Sequence, residues 1–269
     1  MDLTGRAETC SGHHGDTLAP VVVSQTDPEA AVRVRPAAGL GVLAFGDSIT
    51  NGGGELQWGV ALQSWALWVA RGLGLPYSPY AADGATAEDV IATQIPLMQR
   101  TTAPGARYEL GCLYIGTNDV RRPGLDARAF QRHHSTAMRF LRERCDQLLT
   151  LTIPLDMGRP RNRALVESAN QAIEHSAALH GASVLDLRRF AGRGVMMADH
   201  VHPTALGQVA IAELALDTLA AAGLQAVVRP SALVSYRTTR VGRLRGDLTY
   251  AYRHLKQDLR LLASTGRCR

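Results

Sequence analysis

Short apolar runs alternate with longer segments of helical periodicity along most of the chain. The apolar runs are too short for helices and predict buried strands at Gly41–Gly46, Tyr77–Ala81, Tyr108–Ile115, Gln147–Ile153 and Ala182–Leu187. The spacing of apolar residues between them predicts helices near Gln57–Arg71, Ala85–Met98, Asp126–Arg144 and Arg161–His180, and another after Pro203. This alternation is typical of right-handed βαβ units. We therefore predict an α/β fold of three layers, α/β/α, around a mainly parallel five-stranded sheet.

The C-terminal part of the chain follows a different pattern. Beyond Pro230, apolar residues step by three or four positions and predict one amphipathic helix with Val241, Leu244, Leu248, Tyr252, Leu255, Leu259 and Leu262 on one face. Residues 224–269 hold ten Lys/Arg and two acids, a net charge of +8, so the remaining 19 basic and 22 acidic residues give −3 and the whole chain +5. We expect this basic helix to pack on its own domain or to mediate self-association. An anionic membrane surface is the alternative, and nucleic acid is less favoured.

Length and composition indicate one main globular domain. The chain has 269 residues, of which 46% are hydrophobic and 20% charged. We divide it into an N-terminal extension at 1–40, a central domain at 41–223 and the basic extension at 224–269. The first residues lack the pattern of a secretory signal, and no apolar run approaches the roughly 18 residues of a membrane span. A cytoplasmic location is therefore expected.

Cysteine and histidine positions do not predict a metal site. The four cysteines show no Cys-x-x-Cys spacing, and Cys112 lies inside an apolar run. Neither His13-His14 nor His133-His134 is near a second cluster at metal-ligand spacing. We expect reduced, isolated thiols and no metal or organic cofactor.

Three polar motifs lie where a predicted strand ends or a helix begins. Ser48 follows the first strand in "FGDSIT", Asn118 follows the third in "IGTND", and Asp199 precedes His202 in "ADHVHPT". The carboxyl ends of parallel strands meet at one edge of a sheet, where loops and helix N-termini form a crevice. Pro203 disfavours helical angles at His202 and holds it at the rim. An Asp-x-x-His spacing lets one loop supply both a general base and the carboxylate that fixes its tautomer.

Each motif also has a structural alternative. Ser48 or Asp199 could cap a helix, and Asn118 could stabilise a turn, since these residue types favour such positions. His200 competes with His202 for the role of base. Asp47 and Asp119 are interpreted as carboxylates that order the loops.

Taken together and in this order, the three motifs resemble those of the SGNH hydrolases, also called GDSL esterases and lipases, over about Gly41 to Gly223. The resemblance implies a flavodoxin-like fold with Ser48 as the nucleophile and a Ser48-His202-Asp199 triad. It also implies an oxyanion hole formed by the Ser48 N–H, the Asn118 side chain and one glycine N–H. That glycine matches Gly84 of "YAADGAT", although the family usually has asparagine close before it and this chain has Asp83.

The implied activity is cleavage of carboxylic esters through an acyl-serine intermediate. Acyl transfer to an acceptor other than water, or a non-catalytic binding protein on the same scaffold, are the alternatives. The expected partner is a small-molecule ester whose identity the sequence does not give. Trp65 and Trp68 fall at helical spacing and are predicted to be core, whereas Trp58 is predicted to lie near the substrate pocket.

Overall fold

Five parallel strands form one sheet with the order β2-β1-β3-β4-β5. The strands are β1 (Val42–Gly46), β2 (Tyr77–Pro79), β3 (Tyr108–Tyr114), β4 (Cys145–Leu151) and β5 (Ser183–Leu185). The structure is a computed structural model that describes residues 39–54, 60–122, 124–155, 163–192, 194–234 and 240–265. The predicted N-terminal extension lies outside these residues except for Gly39 and Leu40.

Helices cover both faces of the sheet. The helices are α1 (Trp65–Leu73), α2 (Ala87–Asp89), α3 (Ile95–Thr101), α4 (Ala127–Arg144), α5 (Arg163–His180), α6 (Ala205–Ala221), α7 (Pro230–Leu233) and α8 (Arg240–Thr265). Alternate residues of β1 enter different cores, as the two-residue period of a strand requires. Val42 and Ala44 pack with α1 and α6, whereas Leu43 and Phe45 pack with α3, α4 and α5. The predicted three-layer α/β/α fold is confirmed.

Strands β4 and β5 end at Leu151 and Leu185, before their predicted ends at Ile153 and Leu187, and side chains bond to the backbone that follows them. Beyond β4, the backbone N–H and C=O of Ile153 bond to the Asn170 amide at 2.7 and 2.9 Å. Beyond β5, Thr152 Oγ1 accepts from Leu187 N–H at 2.7 Å and donates to Asp186. The apolar pattern reports burial and continues past the strands. Thr152 N–H still donates to Leu185 C=O at 3.0 Å, but residues 152–153 and 186–187 lie outside the strands.

Two helices also differ from the prediction. Helix α1 begins at Trp65, not near Gln57, because Ser64 caps it by accepting from Ala66 N–H at 3.1 Å. The predicted helix over Ala85–Met98 is interrupted by a π-helical turn at Val90–Gln94. Pro96 follows this turn and lacks the N–H that a continuous α-helix would use.

The C-terminal helix α8 exposes the described side chains of its apolar stripe, and the predicted Leu262 side chain lies outside them. The side chains of Val241, Leu244, Leu248, Tyr252, Leu255 and Leu259 are between 57% and 75% exposed. They therefore do not pack on the described part of the domain, whereas self-association and membrane binding stay predictions. Among the described helices, none is long and apolar enough to cross a bilayer.

Deleting residues 240–269 is expected to leave the melting temperature of the remaining chain unchanged. The reason is that these apolar side chains are exposed, so removing them uncovers no core. Thermal unfolding of the full and shortened proteins measures this, with size-exclusion chromatography and sedimentation with anionic vesicles run on both. A clear fall in melting temperature would show that the helix is buried against the protein or a second copy.

Candidate active site

Ser48 lies on a tight turn that leaves β1 at the carboxyl edge of the sheet. The turn is closed by Asn51 N–H donating to Asp47 C=O at 2.9 Å and by Gly53 N–H donating to Ser48 C=O at 2.6 Å. Gly46 precedes it with φ of +157°, and a Cβ there would lie 2.5 Å from the Tyr114 carbonyl oxygen. Only glycine fits this approach to β3, which explains the abrupt end of the apolar run before Ser48.

His202 reaches Ser48 across 154 positions of sequence. Its Nε2 lies 2.8 Å from Ser48 Oγ, and its Nδ1 lies 2.6 Å from Asp199 Oδ2. The two ring nitrogens therefore connect the serine hydroxyl to the carboxylate in one line of hydrogen bonds. The structure brings together the three residues that the sequence places at separate positions.

The loop before α6 holds this imidazole in place. Asp199 Oδ1 accepts from the backbone N–H groups of Val201 and His202 at 2.9 and 3.0 Å. Thr204 caps α6 by accepting from Gly207 N–H, and it also donates to Gly194 C=O at 2.6 Å. The cap of α6 is therefore Thr204, so the structural alternative of Asp199 as the cap of this helix is wrong. Asp199 instead orders the backbone of the loop and contacts the His202 imidazole.

The Asp199–His202 contact shifts both titrations. Hydrogen bonding to Asp199 raises the pKa of His202, and partial burial opposes this effect. Burial of Asp199 disfavours its charge, but the hydrogen bonds from His202 and Val201 outweigh burial and lower its pKa. The geometry therefore favours an ionised Asp199 beside an imidazole of raised basicity.

His200 has a backbone role in the same loop. Its φ of 55° places it in the left-handed region, which is unusual for a residue other than glycine. Its N–H donates to Met197 C=O at 3.0 Å, which helps the loop reverse direction between Asp199 and His202. The imidazole that reaches Ser48 is that of His202.

The loops of Gly84 and Asn118 are tied to each other and to the Ser48 turn. Asn118 Nδ2 donates to Ala85 C=O at 3.0 Å, and Asn51 Nδ2 donates to Asp83 Oδ1 at 2.9 Å. Gly84 thus lies between two residues that are each anchored to another loop of the site. Asp83, the departure from the family pattern, has a partner in Asn51.

Two backbone donors at this edge have no acceptor among the residues that the structure describes. Within the described part of the chain, neither the Ser48 N–H nor the Gly84 N–H donates to a protein atom. Gly84 has φ of +74°, and a Cβ there would meet no atom of the described residues within 4 Å. Both N–H groups are available to a bound group.

Asp47 and Asp119 make backbone contacts that order the loops. Asp47 Oδ1 accepts from Ile49 N–H at 2.9 Å, and Asp119 accepts from Ala87 N–H at 3.2 Å. Complete burial raises the pKa of Asp47 to about 7, and its Oδ2 has no hydrogen-bond partner among the described residues. Burial also raises the pKa of Asp119.

The sequence from residue 44 to residue 210 matches the GDSL-like Lipase/Acylhydrolase family. This match spans more than half of the 269 residues and includes Ser48, Asn118, Asp199 and His202. The chain belongs to this family. It is therefore an SGNH/GDSL-type esterase, as the motifs predicted.

Solved structures of low sequence identity share the fold of this esterase. One is LAE5, an alpha/beta hydrolase enzyme from the metagenome of Lake Arreo in Spain, with 20% identity, a TM-score of 0.54 and coverage of 68% of this chain and 96% of LAE5. Axe2, an acetylxylan esterase from Geobacillus stearothermophilus, has 17% identity, a TM-score of 0.53 and coverage of 68% and 95%. TesA has 22% identity, a TM-score of 0.52 and coverage of 66% and 97%. No curated protein matched the chain.

The tryptophan predictions have different outcomes. Trp65 and Trp68 are buried in the core shared by α1 and α6, as predicted. Trp58 lies outside the described residues, so its predicted place near the pocket stays a prediction. Cys112 is buried as a free thiol, which also agrees with the sequence interpretation.

Two buried glutamines of the esterase were missed by the sequence analysis. Gln94 and Gln208 are 3% and 0% exposed and bond to the backbone on either side of Ser48. A long polar residue within an apolar helical pattern was the available signal. Gln208 lies between Ala205 and Val209, which both belong to the apolar face of α6.

Proposed function

We propose that this esterase cleaves carboxylic esters through an acyl-serine intermediate formed on Ser48. The observation that carries the proposal is the pair of contacts of His202, 2.8 Å to Ser48 Oγ and 2.6 Å to Asp199 Oδ2. A serine hydroxyl is a weak nucleophile until a base removes its proton, and imidazole can do so near neutral pH.

The reaction follows from these contacts in two halves. His202 Nε2 takes the Ser48 Oγ proton while Oγ bonds to the ester carbonyl carbon, and Asp199 stabilises the imidazolium. Collapse of the tetrahedral intermediate breaks the bond to the alcohol oxygen, which leaves with the proton from His202. Water then attacks the acyl-serine, with His202 as base, and releases the acid and free Ser48.

The carbonyl oxygen becomes negatively charged in both halves and needs hydrogen-bond donors. We assign this oxyanion hole to Ser48 N–H, Gly84 N–H and Asn118 Nδ2. The two unpaired backbone donors support the assignment. So does Asn118 Nδ2, which carries a second hydrogen besides the one given to Ala85. Loss of one such donor typically costs about 2.7–4 kcal/mol of transition-state stabilisation.

Acyl transfer to another acceptor uses the same acyl-serine intermediate. The test is a panel of p-nitrophenyl esters and acetylated sugars, with and without added alcohols as acceptors. Acetylated xylo-oligosaccharides belong in the panel because the structural neighbour Axe2 is an acetylxylan esterase. Release of free acid supports hydrolysis, transfer to the alcohol supports the acyltransferase, and no turnover of any ester would contradict the proposal.

In the profile of kcat/KM against pH, the midpoint of the acidic limb is expected at a pH above about 6.5, the ordinary pKa of histidine. Only neutral His202 can accept the Ser48 proton, so activity falls as pH drops through its raised pKa. Asp199→Ala removes the main cause of that shift, so the limb of its residual activity should move to lower pH.

Asp47→Asn is the matched control for this profile. Asp47 raises the pKa of His202 less than Asp199 does. The acidic limb of the Asp47→Asn variant should therefore move less than that of Asp199→Ala. A wild-type limb at or below 6.5, or one that Asp199→Ala leaves in place, would exclude the Asp199–His202 coupling.

A further inference from the structure

We infer that Gln94 and Gln208 are positioning residues that hold the Ser48 turn from opposite faces of the sheet. The inference rests on the proposed role of Ser48 as nucleophile. Neither glutamine reaches the reacting atoms. Each instead uses its side-chain amide to fix backbone next to Ser48.

Gln208 connects the nucleophile turn to the helix that follows the base. Its Nε2 donates to the carbonyl oxygens of Ile49 and Gly53 at 2.9 and 3.1 Å, and its Oε1 accepts from Trp65 N–H at 2.8 Å. One buried amide therefore binds both ends of the turn and the first residue of α1. Both hydrogens of its Nε2 and one lone pair of its Oε1 are used on backbone.

The position of Gln208 on α6 relates it to His202. Its backbone N–H donates at 2.8 Å to the carbonyl oxygen of Thr204, the cap of α6, which lies two residues after His202. The loop that contains His202 leads directly into the first turn of α6, and Gln208 in that same turn bonds to the backbone of the Ser48 turn. A rigid element of this kind fixes the distance between Ser48 Oγ and His202 Nε2.

Gln94 holds the other side of Ser48. Its Oε1 accepts from Gly46 N–H at 3.0 Å, and its Nε2 donates to Gly46 C=O at 2.8 Å. Gln94 ends the π-helical turn before α3, on the face opposite to α6. The irregular turn therefore presents a side chain to the end of β1, which fits the frequent occurrence of π-turns at functional sites.

The hydrogen bonds of the two glutamines should affect the rate of the chemical step more than substrate binding. A serine displaced by about 1 Å from its base can lose about 100-fold in rate although the substrate still binds. We therefore expect loss of either amide to lower kcat and the intrinsic reactivity of Ser48, with KM little changed. The protonation of His202 should be unaffected, because its contact with Asp199 is untouched.

The experiment compares Gln208→Met and Gln94→Met, which keep the length of the side chain, with Leu219→Ala. Leu219 is buried near the other end of α6, so this control lowers stability in the same helix away from Ser48. The measurements are melting temperature, kcat and KM for p-nitrophenyl acetate, and the second-order rate of inactivation by a fluorophosphonate. The acidic limb of the pH profile is recorded for each variant.

The inference predicts that kcat and the inactivation rate fall together by about 10- to 100-fold in each Met variant. KM should stay within about twofold and the pH limb should not move, while Leu219→Ala keeps near-normal kcat when folded. If one Met variant does not fold, the kcat and inactivation rate of the other variant test the inference. A folded Met variant with wild-type kcat, or an equal loss in Leu219→Ala, would overturn the inference.

Ser48→Ala is measured in the same series so that the two claims can fail separately. An active Ser48→Ala protein would remove the proposed function and this inference with it. An inactive Ser48→Ala protein beside Met variants of wild-type rate would remove the positioning role alone.

Discussion

Ser48→Ala is expected to abolish ester hydrolysis while leaving the fold intact. In the proposed mechanism Ser48 Oγ forms the acyl bond, so kcat should fall by at least about 1,000-fold when it is removed. A small residual rate can remain from the oxyanion hole, because the members of a triad act as a unit. Steady-state kinetics with p-nitrophenyl acetate measure the loss, and thermal unfolding checks the fold.

Ser176→Ala is the matched control for this substitution. Ser176 is a fully buried serine on α5 whose hydroxyl donates to Ala172 C=O at 2.8 Å, away from the triad. Its loss should affect stability and leave kcat near wild type. A Ser48→Ala protein that keeps more than about a tenth of wild-type kcat would exclude Ser48 as the nucleophile.

His202→Ala is expected to be as damaging as the loss of Ser48. In the proposed mechanism the imidazole at 2.8 Å removes the Ser48 proton in acylation and activates water in deacylation, and this variant lacks it. We expect at least a 1,000-fold loss of kcat. Stopped-flow measurement of p-nitrophenol release should show that the acylation half of the reaction is slowed.

His200→Asn separates the two histidines of the loop. Asparagine tolerates the left-handed backbone that His200 adopts, so this change keeps the turn while removing the second imidazole. Its kcat should stay within a few-fold of wild type, and adding it to His202→Ala should change little more. If His200→Asn is the crippling change and His202→Ala the mild one, the base has been assigned to the wrong residue.

The α/β/α layers and the edge of the sheet that holds the site could be predicted, because both depend on the local pattern of apolar and polar residues. Short apolar runs place Val42 to Phe45 in a buried strand, and the carboxyl ends of parallel strands share one edge. Ser48, Asn118 and His202 could therefore be assigned to one edge before their contacts were known. The ends of β4 and β5 were missed since Asn170 and Thr152 supply hydrogen bonds that the apolar pattern does not encode.

The hydrogen-bond partners of the side chains that support the site depend on tertiary contacts and could not be predicted. Gln94 and Gln208 bond to backbone 48 and 159 positions away in sequence, and no local motif marks those partners. The π-helical turn that presents Gln94 replaces a helix that the apolar spacing predicted as continuous. The pairing of Asp83 with Asn51 is likewise a loop-to-loop contact.

Direct capture of the acyl-serine intermediate is the most decisive test of the proposed reaction. The full-length protein is mixed with p-nitrophenyl acetate, quenched in acid within the first turnover, digested and analysed by mass spectrometry. We expect one acetyl group on the peptide that contains Ser48, formed in step with the burst of p-nitrophenol and absent from Ser48→Ala. Acetyl on a different residue during that burst, or full turnover by Ser48→Ala, would contradict it.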